Sequence, residues 1–205
     1  AEGLGYIDNK EGRGILCYSS IAASTSGLPL ALMYQHTWTR PLEELGKSKN
    51  RKSRSFEDKE TYQWYKGMTE VNNCLGSTLQ KIHIADREAD VYDLFFSAYE
   101  KGTDLLIRAR HKRQLSNHIA ELPAQQIVTI QVPDKTGKKK IDVKATVRYQ
   151  EVEILRPSTS KNKYESVRLT AIEVKQTGKV NQEEQRICWK LLTTVEVKNV
   201  KDVLQ

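Results

Sequence analysis

Between about Leu115 and Thr194 the chain alternates apolar and polar residues at a period of two, and no other feature constrains its fold as tightly. Val128, Ile130 and Val132 oppose Ile127, Thr129 and Gln131. After the turn signal Asp134-Lys135-Thr136-Gly137 the period resumes with Ile141, Val143, Ala145, Val147 and Tyr149. Strands are predicted near 150–155, 165–176 and 185–194, separated by Pro157-Ser158-Thr159-Ser160 and by Thr177-Gly178. A period of two sends alternate side chains to opposite faces of a sheet. The stretch therefore reads as a β meander.

The amino-terminal half is organised differently. Residues 15–22 and 28–35 read as two strands joined by a Ser/Thr/Gly turn at 24–27, an antiparallel hairpin. Trp64, Met68, Val71, Leu75 and Leu79 then mark one face of a helix, with Ser55 or Asp58 able to cap its start and Gly76 as a weak point near its end. Strand 81–85, helix 89–100 and strand 104–110 follow. The change from alternating helix and strand to strands alone predicts an α+β chain whose later strands form an insertion and not a continuation of the first sheet.

Chemistry concentrates at the first of those strand ends. Lys81-Ile82-His83-Ile84-Ala85 is short and β-branched, and Val91, Leu94, Phe95, Ala98 and Tyr99 form one apolar helical stripe after it. Asp86 thus stands at the carboxyl end of a strand, where open α/β sheets bind ligands and metals. An Asp here also suits a helix cap, and Glu88 and Asp90 suit a first helical turn. The residues alone leave both readings of Asp86 open.

Composition favours a polyanionic partner. Lys and Arg number 33 against 26 Asp and Glu, for a formal charge of +7 over 205 residues. The positives cluster at Lys47 to Arg54, at Arg108 to Arg113 and at Lys138 to Lys140. The first and third read as solvated loops. The second follows a strand expected to run parallel to the Asp86 strand, so it can share that cleft. With 38% hydrophobic and 29% charged residues, the chain has the composition of a folded soluble protein. It has no apolar run of membrane length and no signal-peptide layout, which predicts a cytoplasmic protein without a membrane partner. Cys17, Cys74 and Cys188 are too dispersed for a zinc knuckle, and Cys17 and Cys188 are expected to pack in apolar strands. His36, His83, His111 and His118 show no metal-binding spacing.

The stretch Asp86-Arg87-Glu88-Ala89-Asp90 resembles the segment carrying the second catalytic aspartate of DDE-type transposases from cut-and-paste bacterial insertion sequences. The resemblance extends in order through Leu4-Gly5-Tyr6-Ile7-Asp8, Arg13-Gly14, Gln35-His36-Thr37-Trp38-Thr39-Arg40-Pro41 and Lys59-Glu60 with Trp64. After the aspartate it continues through Leu106-Ile107-Arg108-Ala109-Arg110-His111 and Trp189-Lys190-Leu191-Leu192-Thr193-Thr194. It implies a partial RNase H-like mixed sheet with helices over 1–112, an all-β antiparallel insertion over 113–194, and the start of a return helix over 195–205.

The resemblance also implies chemistry. Such transposases cut and join phosphodiesters at transposon ends with Mg²⁺ or Mn²⁺ held by three carboxylates, and they act as homodimers on paired double-stranded DNA ends. Asp86 matches the second acid, as catalytic residue and metal ligand. The first acid and the final Glu have no match, since Glu2 and Asp8 lack a preceding apolar strand. This chain is thus expected to be a central fragment, weak in metal binding and inactive alone. Arg108 resembles a contact to phosphate or to a flipped base, and Trp189 resembles the residue that stacks on that base, although a Trp beside Leu191 and Leu192 also suits a core. Arg110, His111 and Arg87 are further DNA-contact candidates, while Trp38 and Trp64 are assigned to packing. Two other readings remain: a non-catalytic DNA-binding or regulatory remnant of a mobile element, and an unrelated nuclease-like or β-rich interaction domain in which Asp86 only caps a helix.

Overall fold

The computed structural model describes residues 3–7, 12–45, 54–76, 78–110, 122–134, 138–178 and 187–204. Contacts divide the chain into two compact units, 1–80 with 157–161, and 81–156 with 162–205.

In the first unit, β1 (Gly5–Tyr6) pairs with β2 (Arg13–Gly14), and β3 (Leu16–Ala23) pairs antiparallel with β4 (Pro29–Trp38). The expected hairpin is present, and its second strand runs three residues further than the composition suggested. Its turn closes where Gly27 N–H donates to Ser24 O at 2.9 Å, with Gly27 at φ 83°. α1 (Tyr62–Leu75) packs on both strands through a ring cluster: Trp64 meets Tyr18 edge-on at 5.1 Å, and Tyr34 lies 6.0 Å from Tyr18. Burial pushes the Tyr18 hydroxyl pKa up.

Two details of this helix depart from the sequence reading. Leu79 does not extend the apolar face, because Gly76 at φ 66° ends the helix and donates its N–H to Asn72 O, leaving Leu79 beyond it and 56% exposed. Neither Ser55 nor Asp58 caps the start. The Ser55 hydroxyl instead donates to Asp58 Oδ2 at 2.9 Å, and Thr61 holds the cap position without a side-chain bond. Gly67 has a steric task here, since a Cβ on it would lie 2.4 Å from the Tyr18 ring. We expect Gly67→Ala to lower stability by about 1–3 kcal/mol through overpacking, outweighing the roughly 1 kcal/mol that Ala gains as a helix former. A thermal melt of the variant checks this, and an unchanged or raised midpoint would refute it.

The second unit holds β5 (Ile82–Ala85), α2 (Tyr92–Lys101), β6 (Asp104–Arg108), β7 (Gln126–Pro133), β8 (Lys140–Leu155), β9 (Ser166–Gln176), β10 (Cys188–Thr193) and the short α3 (Val200–Leu204). Its strands form one mixed sheet in the order β5-β6-β10-β9-β8-β7, with β5 and β6 parallel and every other pair antiparallel. The chain is therefore α+β, as expected. The expected boundary near residue 112 is corrected: the later strands do not form a sheet of their own, because β10 returns to pair with β6 and joins them into the same hydrogen-bonded surface. Period-two alternation reports which face is buried, not which strand lies alongside, so it could not show this.

Both faces of that sheet carry a core. α2 packs on β6 and β9, whose buried Leu105, Ile107, Leu169 and Ala171 share one face by register. On the opposite face Val128, Ala145, Val147, Ile172 and Val174 cluster beneath Val197, Val200 and Val203. β8 serves both, burying Val143, Ala145 and Val147 on one side and then Val152 and Ile154 on the other, without a register shift against β9. The sequence pattern predicts two strands divided near residue 150, where the structure has one, Lys140–Leu155. Among the described residues, no helix is long and apolar enough to cross a membrane.

Candidate nucleic-acid interface

Asp86 follows the last residue of β5 with an extended backbone, and its Oδ1 accepts the N–H of Glu88 at 2.9 Å. It thereby caps a 3-10 turn, Arg87–Ala89, that lies ahead of α2. Glu88 and Asp90 consequently precede the helix and do not occupy its first turn, as the sequence reading had them. That position falls to Asp93.

The turn is braced from β6. Asp90 is buried, and its Oδ2 accepts the backbone N–H of Arg110 at 2.8 Å. The Arg110 guanidinium donates to Arg87 O at 3.1 Å and to Glu88 O at 3.3 Å. Arg110, a candidate DNA contact by sequence, is therefore engaged with the backbone of the Asp86 turn. Arg87 is half-buried, and its Nε is shielded from solvent without a hydrogen-bond partner. His111 lies outside the described residues.

Register brings the other candidates together. Leu106 pairs with Thr193, and Arg108 pairs with Leu191, so Arg108, Leu191 and Trp189 stand on one face by alternation. Trp189 is one diagonal step from Arg108, about 7–8 Å for such neighbours. β5 runs parallel to β6 with Ala85 opposite Ile107, which places Asp86 at the level of Arg108 on the same face as Ile84. Arg108 is exposed, and Trp189 keeps 36% of its surface exposed, so the core reading of this Trp does not hold. Cys17 and Cys188 are exposed as well, because both fall on outward-facing strand positions that composition alone does not distinguish. Trp64 packs as expected, and Trp38 stacks on His36 at 5.8 Å.

On the opposite face of β5 from Ile84, burial pushes the pKa of His83 down, with the Lys81 charge acting in the same direction. Among the described residues no group of three His, Cys, Asp or Glu side chains converges to hold a metal. Sequence reasoning missed Asp90, whose burial beneath the turn gives no signal distinct from a surface acid.

The chain matches no family model and no curated protein sequence.

Proposed function

We propose that this chain is the central part of a DDE-type transposase catalytic domain with an RNase H-like core, acting on double-stranded transposon-end DNA in a bacterial cytoplasm and as a homodimer in the complete protein. One observation supports this above the others. Asp86, Arg108 and Trp189 are far apart in sequence, yet register assigns them to one face at the carboxyl ends of the two parallel strands. A carboxylate, a guanidinium and an exposed indole together suit a scissile phosphate and an unstacked base.

Asp86 would be the ligand this chain contributes to Mg²⁺ or Mn²⁺, which when bound stabilises charge developing at phosphorus. Arg108 would hold a phosphate through two parallel N–H bonds, and Trp189 would offer its ring to the base. The Arg110 fork and buried Asp90 would keep the Asp86 turn fixed to β6.

A duplex with 2-aminopurine near one end tests the reading. Stacking on an aromatic side chain contributes about 1–3 kcal/mol per base. We expect the protein to quench the probe, Trp189→Ala to restore its fluorescence, and either Trp189→Ala or Arg108→Gln to weaken binding severalfold or more. Affinity should also fall steeply as salt rises. Full quenching by Trp189→Ala, or an affinity flat with salt, would count against the assignment.

A second reading keeps a specific support. The bond from Glu88 N–H to Asp86 Oδ1 is the one a purely capping Asp makes. A non-catalytic DNA-binding remnant would show the same DNA affinity with no strand cleavage when the flanking catalytic segments are supplied.

A further inference from the structure

Beyond the stretch of β9 that α2 covers, β8 to β10 have one face packed beneath Val197, Val200 and Val203 and an opposite face whose Lys144, Lys175 and Cys188 reach solvent. Register puts Thr146, Lys175 and Cys188 in one row across the open face, with Lys144 two residues away along β8 and Lys190 two residues away along β10. Lys144, Lys175 and Cys188 are exposed, and Lys190 is half-exposed. The nearest buried carboxylate, Glu173, is taken by Arg148 at 3.1 Å.

The three lysines lie on a diagonal. Each step crosses one strand and advances two residues, about 8 Å from a strand spacing of about 4.8 Å and a rise of about 3.3 Å per residue. The row carries three ammonium groups and no aromatic ring. Such a row complements a line of phosphates and offers nothing for base stacking.

We propose that this open face, carrying Lys144, Lys175 and Lys190, is a second duplex-DNA contact, directed at the phosphate backbone and on the opposite side of the sheet from Arg108 and Trp189. It rests on the reading that the chain binds DNA, but on none of the residues that carry that reading. A duplex gripped there is held without regard to sequence, while the Arg108 and Trp189 side engages an end.

The test compares the protein with the triple variant Lys144→Gln, Lys175→Gln, Lys190→Gln, by fluorescence anisotropy on a random-sequence 20-base-pair duplex across a salt series. Each lost phosphate contact removes about 0.9 from the slope of log affinity against log salt, so the slope should flatten by roughly 2.7. An unchanged slope and affinity in a variant that melts like the parent overturns the proposal. If Arg108→Gln still weakens binding in that case, the end-binding reading survives alone; if neither variant matters, both fail.

Cys188 provides a check that needs no substitution. It is the register partner of Lys175, so saturating duplex should slow its alkylation by N-ethylmaleimide at least severalfold, while the exposed Cys17 and Cys74 of the other unit report nonspecific protection. Alkylation of Cys188 at an unchanged rate overturns the proposal. So does equal protection by polyglutamate at matched charge, since that assigns the face to acidic polypeptide.

Discussion

Arg148→Met is expected to destabilise the second unit by about 3–5 kcal/mol, the largest single effect the structure predicts, because it leaves a buried carboxylate without its counter-charge. Glu173 is only 3% exposed. The guanidinium that meets it also donates to Leu122 O at 2.8 Å and to Thr146 Oγ1 at 3.2 Å, so one side chain ties the coil before β7 to two strands. The double replacement Arg148→Met, Glu173→Leu should recover most of the loss, since a well-packed apolar pair often equals a buried ion pair. Chemical denaturation of the single and double variants decides. A single variant that loses under 1 kcal/mol would mean that Glu173 finds water or Lys190 instead.

The second large effect concerns Asp86. On the proposed function, and with the two further acids of that family's site supplied, Asp86→Asn should abolish Mg²⁺-dependent strand cleavage and leave the melting temperature almost unchanged. An Asn oxygen still accepts the Glu88 N–H, and Asn ranks with Asp as a cap, but a neutral amide is a far weaker Mg²⁺ ligand than a carboxylate. Cleavage of an end duplex by both proteins, with parallel melts, separates the roles. Retained cleavage discards the catalytic assignment, and a large drop in melting temperature would show that the cap matters more than its neutral counterpart can supply.

What could be read from the sequence follows its local signals. The β3–β4 hairpin and the strand and helix that flank Asp86 are legible because turn residues and apolar spacing act within about ten residues, whereas the 3-10 turn Arg87–Ala89 between them is not. The site was legible only as a list of names. Trp189 and Arg108 share a face because β10 pairs with β6 across some eighty residues, and no periodicity encodes that pairing. Arg110 reads from sequence as a DNA-contact candidate, and its engagement within the fold is not legible there because its acceptors, Arg87 O and Glu88 O, are backbone atoms that every residue possesses. The outward turn of Cys17 and Cys188 failed for the opposite reason: an apolar strand has two faces, and composition does not say which is wet.

The place of β10 between β6 and β9 also governs the order in which the second unit can fold. β5, α2 and β6 are local and can form early, but β6 keeps one edge unpaired until Leu191, Leu192 and Thr193 arrive. The bond from Leu105 N–H to Thr194 Oγ1 spans 89 residues. Closing such a loop precedes any gain from the contacts it makes, which slows folding and leaves a bare strand edge during synthesis. A ribosome carrying this chain therefore presents an open β6 edge through most of the β meander, and that interval, more than the finished sheet, is when the protein is exposed to aggregation and to chaperones.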